Sequence, residues 1–210
     1  MPINLDKIGV FRIIPLQNLE YILRDGLYCK NAGKKNKGFV TIGSKEIITQ
    51  RDTRIVKCYP DTVVNDYVPF YFHYKMPMLY KIWHNEVADY TGTQEEIIYL
   101  VSSAEKIAEL QLPFVFTDRH AYVAYLNFFN QYTDLEKINW SVIKDETWYL
   151  QYSQIRKELK QAEFLVYQHL PVAGILGIVA HNEEIATFVR NEIAVADLSL
   201  KVVVKLEYYY

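Results

Sequence analysis

Glu163 is the acid whose setting most needs a reason. It opens Glu163-Phe164-Leu165-Val166, directly after Gln161-Ala162, and a carboxylate entering an apolar strand must be hydrated, paired or used. One reading makes it a rim charge paired with Lys160 or Arg156. The other makes it a functional carboxylate. Asp118-Arg119-His120 is a second polar group. Asp118 there suits a helix start, and His120 suits a satisfied core position or a site. Arg51 and Arg54 read as a solvated face. Cys29 and Cys58 are too few for a disulfide scaffold, and each has the ordinary reading of a small core residue. The histidines at 73, 84, 120, 169 and 181 lack any paired metal-ligand spacing, so no metal site is expected. Walker, dinucleotide-binding and nucleophile-elbow patterns are absent.

These residues must be carried by secondary structure. Residues 9–14 read as a strand, with Pro15 suited to the first turn of the helix that follows. Leu16, Leu19, Ile22 and Leu23 fall at helical spacing up to Gly26, and Leu27-Tyr28-Cys29 reads as a short strand. Lys30 to Gly38 is polar and glycine-punctuated, a mobile loop by pattern. Ser44 is placed to cap a helix ending at Arg51. Residues 67–74 are β-prone, and Met78 to Trp83 reads as a helix after Pro77. Ile97 to Val101 reads as a buried strand leading into a capping box at Ser102-Ser103-Ala104-Glu105. Residues 114–116 form a strand, and Thr117 is expected to cap a helix reaching Phe129. A helix is expected over 141–160, broken near Gln151. Strands are expected at 162–170, 175–180 and 201–208, with a short helix capped by Asn182. The irregular alternation predicts an α+β fold, with a twisted mixed or antiparallel sheet in two packed halves.

The 210 residues, half of them hydrophobic and 23% charged, suit one domain with a real core. Eighteen Tyr, ten Phe and three Trp stand out against eight Gly. Most of these aromatics are expected in the core. The net charge of −2 excludes a globally basic nucleic-acid binder. It conceals opposed segments: residues 30–57 hold eight Lys and Arg against two acids, and residues 86–109 hold six acids against Lys106. No signal-peptide pattern and no long apolar window is found, so a cytoplasmic chain with no membrane span is expected.

Four blocks taken together resemble the DarT family of bacterial toxins that ADP-ribosylate DNA. They are Asp66-Tyr67-Val68-Pro69-Phe70-Tyr71-Phe72, Met76-Pro77-Met78-Leu79-Tyr80, Pro113 through Ala121, and Gln161-Ala162-Glu163-Phe164-Leu165. Asn18 to Leu27 is similar to the helix that follows the first NAD strand in many ADP-ribosyltransferases. The resemblance runs from about residue 9 to the C-terminus and implies a single ADP-ribosyltransferase-like domain over 1–210. It implies that NAD is consumed as substrate, with nicotinamide released, and that single-stranded DNA, with thymidine as acceptor, receives the ADP-ribose. Glu163 matches the catalytic glutamate and Arg51 a catalytic arginine at the NAD site. NAD contact is implied for Arg12, Ile14, Asn18, Leu27, Arg51, Tyr71 and Met78. Nucleic-acid contact is implied for His120, Arg119, Lys34, Lys35, Arg54 and Tyr80, and Tyr67, Tyr71 and Tyr80 are implied to line the cleft that holds nicotinamide and an unstacked base. A macrodomain antitoxin partner is implied, and a monomer is expected.

Two positions depart from the family pattern. Phe11-Arg12-Ile13-Ile14 stands where the family opens with Tyr-His-x-Thr, and Asn65 stands where His is common. Arg12 donates hydrogen bonds but accepts none, which suits a phosphate of NAD. The residues alone leave alternatives open. These are guanine or RNA as acceptor, a non-catalytic NAD or nucleic-acid module, and a sugar hydrolase pairing Glu95 or Glu96 with Glu163.

Overall fold

The computed structural model describes residues 8–34, 38–150 and 153–210. Twelve strands are found there: β1 (Gly9–Pro15), β2 (Leu27–Tyr28), β3 (Ile55–Val56), β4 (Tyr59–Val63), β5 (Tyr67–Tyr71), β6 (Ile97–Ser103), β7 (Phe114–Thr117), β8 (Phe128–Phe129), β9 (Glu163–Tyr167), β10 (His169–Leu170), β11 (Gly177–Ala180) and β12 (Lys201–Val204). The α-helices are α1 (Leu19–Asp25), α2 (Lys45–Arg51), α3 (Pro77–Trp83), α4 (Ala104–Glu109), α5 (Trp140–Ile143), α6 (Gln154–Lys160) and α7 (Glu183–Val195).

Eight strands form one sheet in the order β12-β11-β6-β1-β5-β9-β7-β8, antiparallel except for β11 beside β12. β1 and β6 pair over seven residues, from Gly9 opposite Ser103 to Pro15 opposite Ile97. β5 and β9 pair over five, from Tyr67 opposite Tyr167 to Tyr71 opposite Glu163. β1 and β5, by contrast, meet at one register pair, Phe11 opposite Tyr71. The sheet therefore consists of two halves joined at a narrow seam, and the α+β reading with two packed halves holds.

The strand alternation of side chains sorts the core. Ile14, Ile98, Leu100 and Ile178 pack with Leu19 and Ile22 of α1 and Val189 of α7. Ile13, Tyr99 and Val179 face the other way, onto Leu79 and Ile82 of α3 and onto Tyr209. On β9, Phe164 and Val166 join the first cluster, while Leu165 joins Val56, Val64, Tyr67 and Val115 in a third. Gly26, with φ of 74°, lies where an added Cβ would stand 2.3 Å from the Leu170 carbonyl oxygen. Only glycine lets β10 lie so close to the end of α1.

Several expectations need correcting. No helix runs from Thr117 to Phe129. Instead Asp118 accepts hydrogen bonds from Asn127 N (2.9 Å) and Nδ2 (2.7 Å), closing a loop that returns as β8 beside β7. The expected helix over 141–160 is two helices, α5 capped by Asn139 and α6 capped by Ser153, and the chain leaves the first at Lys144. Gln151 lies outside the described residues. The helix capped by Asn182 is thirteen residues, not short. The last strand stops at Val204 before a 3-10 turn over Leu206–Tyr208. Ser44 stands before α2 but spends its hydroxyl on the Glu46 carboxylate. Ser103, not Ser102, caps α4, accepting from Lys106 N, while Ser102 Oγ donates to the Gly174 carbonyl.

Candidate active site

The seam between the sheet halves opens beside the first residue of β9. Glu163 is 1% exposed there, opposite Tyr71 in register. Its side chain is held from two directions. Arg51 Nη1, at the end of α2, donates to Oε2 at 2.9 Å and Oε1 at 3.1 Å. The backbone N–H of Ala121 donates to Oε1 at 3.0 Å. Thr117, expected to cap a helix, spends its hydroxyl here instead. It accepts from Glu163 N at 3.1 Å and donates to the Arg119 carbonyl at 2.7 Å, tying β9 to the turn that carries His120. The rim-charge reading is thereby corrected. Lys160 bonds backbone carbonyls and Arg156 pairs with Asp145, and neither reaches Glu163.

Burial pushes the Glu163 carboxyl up. The Arg51 cation, with the Ala121 N–H in support, more than offsets this and leaves it below its ordinary value. Glu163 is thus an ionised carboxylate in a place nearly closed to water. His120, 3% exposed, is pushed down to about 4, chiefly by burial and further by Arg51, so it is neutral at pH 7. Its Nδ1 accepts from Tyr122 N at 3.4 Å, which assigns the ring proton to Nε2. Burial, then the Glu163 charge, raises the Tyr71 phenol, so it stays protonated.

Arg12 is the second cation of this cluster. Nη1 donates to the Pro69 carbonyl at 2.8 Å, and the buried Nε has no hydrogen-bond partner among the described residues. Burial and the nearby Arg51 pull Arg12 down to about 10, still charged at pH 7. Arg12 and Arg51 against Glu163, with His120 and Tyr71 neutral, leave the cluster with one net positive charge. A free buried donor and a positive balance fit an anionic ligand such as the pyrophosphate of NAD.

The structure thus brings Arg12, Arg51, Tyr71, His120 and Glu163 together. Asn18 acts one step away, clamping Val40 with Nδ2 to its carbonyl (2.7 Å) and Oδ1 from its N–H (2.8 Å), which holds the 38–44 segment against α1. Ile14 and Leu27 point into the first core cluster and are 2% and 1% exposed, so both back the site from within the core. Met78 packs on the second cluster. Arg54 Nη2 donates to the carbonyls of Val123 (2.5 Å) and Ala124 (3.0 Å), bracing the loop that contains Ala121. Arg119 lies beside Asp118 and over the Tyr125 ring. Lys34 Nζ donates to the Tyr28 hydroxyl, and Lys35 lies outside the described residues.

Tyr80 stacks on Tyr149 and meets Trp83, His84, Trp148 and Tyr210 edge-on or tilted. Of these rings, Tyr80, Trp148 and Tyr149 border a cavity of about 180 Å³ with Pro77, Lys81, Glu86 and Lys157. Tyr67, expected at the cleft, is a core residue, 3% exposed and hydrogen-bonded to Thr62. Sequence reading missed Thr117 and Ala121 as site-builders, and named Arg54 as a nucleic-acid contact rather than as the brace of the Ala121 loop. Only the Pro113–Ala121 block drew attention to the first two.

The family model for DarT, ssDNA thymidine ADP-ribosyltransferase, matches residues 11–210. The chain belongs to the DarT family. An Escherichia coli O127:H6 DNA ADP-ribosyl transferase is 31% identical over 209 residues, 99% of this chain and 96% of that protein. A Thermus aquaticus DNA ADP-ribosyl transferase is 42% identical over 163 residues, 77% of this chain and 70% of that one. Thermus sp. 2.9 DarT, solved in complex with ADP-ribosylated ssDNA, superposes with a TM-score of 0.89 at 33% identity, covering 97% of this chain and 96% of that one. The fold is therefore that of the DarT structures, an ADP-ribosyltransferase-like fold, and the chain is an NAD-using DNA ADP-ribosyltransferase by family. Among the described residues no helix is long and apolar enough to cross a membrane, and no cluster of metal-ligating side chains is found.

Proposed function

We propose that this chain moves ADP-ribose from NAD to thymidine in single-stranded DNA and releases nicotinamide. The observation that carries the reading is the buried Glu163 carboxylate, kept ionised by Arg51 and Ala121 N–H at the seam of a DarT sheet. Thermus sp. 2.9 DarT is solved with NAD+ and with ADP-ribosylated ssDNA, which supports both substrates.

Positive charge grows at the ribose C1 as nicotinamide departs, and a fixed carboxylate in a water-poor site stabilises it without reorganisation. Glu163 takes that role and receives the proton that the acceptor nitrogen must lose. Arg51 holds Glu163 and, with Arg12, supplies the positive field that suits the pyrophosphate and a deprotonated base. Tyr71 and Met78 bound the NAD side with Asn18, which fixes the 38–44 segment, and Ile14 and Leu27 support it from the core. His120 and Arg119, with Tyr80, Arg54, Lys34 and Lys35, form the nucleic-acid side. A stacked base in duplex is out of reach, which favours single strands.

Mass spectrometry of thymidine-containing single strands after incubation with NAD tests this. The expected product carries one ADP-ribose on thymidine and is absent with Glu163→Ala. Transfer to guanine or to RNA in the same panel would redirect the substrate assignment, and NAD binding without nicotinamide release would mark a non-catalytic module. The biological setting that fits is a cytoplasmic monomeric toxin countered by a macrodomain that removes the ADP-ribose.

A further inference from the structure

We propose that Asn65 is the positioning residue that aims Arg51 at the catalytic carboxylate. The proposal rests on the roles assigned above to Glu163 and Arg51. α2 is two turns long and ends on Arg51 itself, so the direction of the guanidinium depends on how that last turn is tied down. The Ile48 carbonyl would ordinarily accept from the N–H of Asp52, four residues on. That N–H is diverted to Thr49 O at 3.1 Å, leaving the Ile48 carbonyl orphaned.

Asn65 Nδ2 fills it at 2.7 Å and, with its second proton, donates to Asp52 Oδ1 at 2.6 Å. Both acceptors require the amide nitrogen on this side, so the orientation of the amide is fixed by its partners. The residue is 5% exposed, at the 3-10 turn that enters β5. Around it, Lys30 pairs with the other Asp52 oxygen, Asn31 N donates to Asn65 O at 3.2 Å, and Asn31 Nδ2 donates to Asp66 Oδ1 at 2.8 Å. One side chain thus joins the two residues flanking Arg51, in sequence and in helical turn, to the strand that pairs with β9. Ser, Ala or Asp at position 65 would not make both donations.

The consequence reaches Glu163 through Arg51. Arg12, Tyr71 and His120 also face the pair, and none of them is touched by Asn65. When the last turn of α2 loosens, Arg51 spends less time on Glu163, and burial is opposed less strongly, with the Ala121 N–H still in place. The acid side of the pH–rate profile then moves upward.

The test compares transfer rates at several pH values for the parent and for Asn65→Ala, with Glu163→Gln as control. The parent is expected to be flat from about pH 7 to about pH 5, because Glu163 is below its ordinary value and His120 is at about 4. Asn65→Ala is expected to be slower by about ten- to a hundredfold near pH 5 and to recover part of that loss by pH 7, as a misaimed group does. A folded Asn65→Ala protein with parental rates overturns the proposal. So does one slowed by the same factor at every pH, which is what lost packing alone would give. If Asn65→Ala does not fold, Asp52→Ala, at a half-exposed position, is read the same way. Transfer retained by Glu163→Gln overturns the catalytic assignment and the proposal with it; inactive Glu163→Gln beside a parental profile for Asn65→Ala overturns the positioning role alone.

Discussion

Glu163 is ionised where water barely reaches, and Arg51 is the reason. Breaking a buried pair by removing the cation leaves the anion uncompensated, so Arg51→Ala should lose about 3–5 kcal/mol at neutral pH. The sign of its pH dependence should also invert. In the parent the folded carboxyl lies below its unfolded value of about 4.3. The stabilisation is then complete above that value and is lost as pH falls through the folded one. In Arg51→Ala the largest lowering influence is gone and burial is opposed less strongly, with the Ala121 N–H still in place, so the folded carboxyl should move above the unfolded value and the variant should lose stability as pH rises from about 4 toward 7. Thermal unfolding at both ends of that range checks it: the expected result is a parent at least as stable at pH 7 and a variant more stable at the acid end. Arg12 differs in kind, since it donates to the Pro69 carbonyl rather than to a carboxylate and adds a second cation to the cluster. Arg12→Ala should weaken NAD binding by about tenfold or more, the worth of one charge-assisted hydrogen bond, while unfolding changes little. Calorimetric titration with NAD measures the first and a melt the second; unchanged NAD affinity would remove Arg12 from the NAD site.

At the scale of elements, the connection between α5 and α6 is held by a buried amine. Lys160, 2% exposed, gives its ammonium protons to the carbonyls of Ile143 and Asp145 and faces His73 Nδ1 at 3.5 Å. His73 Nδ1 also accepts from Lys75 N, and burial keeps that ring neutral at about 3. Burial pulls Lys160 down to about 7 despite the nearby Asp145 and Glu146. The unfolded chain therefore binds more protons between about pH 7 and the ordinary lysine value near 10.4, and this group makes stability rise with pH across that window. Lys160→Met should flatten the rise, read as the slope of melting temperature between pH 7 and 9; an unchanged slope would show that another group sets it. Helix α7 offers a simpler element-scale check. Asn182 Oδ1 accepts from Ile185 N at 2.9 Å, so Asn182→Ala should cost about 1 kcal/mol in denaturant unfolding.

At the scale of the whole molecule, what could be read from sequence followed the range of the interactions. Period-two alternation in Val10, Ile14, Ile98 and Leu100 marks the central strands, because each side chain needs only its own strand's geometry to find the core. The Asn182 cap was legible for the same local reason. The helix expected after Thr117 failed because its hydroxyl is spent on Glu163 N, 46 residues away, and Asp118 on Asn127. Arg51 and Glu163 are 112 residues apart, and only the family resemblance, not spacing, joined them. The charge pattern of residues 30–57 shows the same limit. Within it Lys30 pairs with Asp52, Lys45 with Asp89 of the acidic segment, and Arg51 with Glu163, while Arg54 is turned to carbonyls. Among its described cations, Lys57 is exposed with no partner, and Lys34 leans on Tyr28. A stretch that looks like a phosphate track is thus mostly spent on the fold. Binding of single strands should accordingly release few counterions. With about three phosphate contacts, the slope of log K against log salt is about −2, against about −6 for all eight cations. Fluorescence anisotropy of a labelled single strand across a salt series measures this slope. A value steeper than about −4 would mean that the ion pairs with Asp52 and Asp89 open on binding and hand their lysines to the DNA.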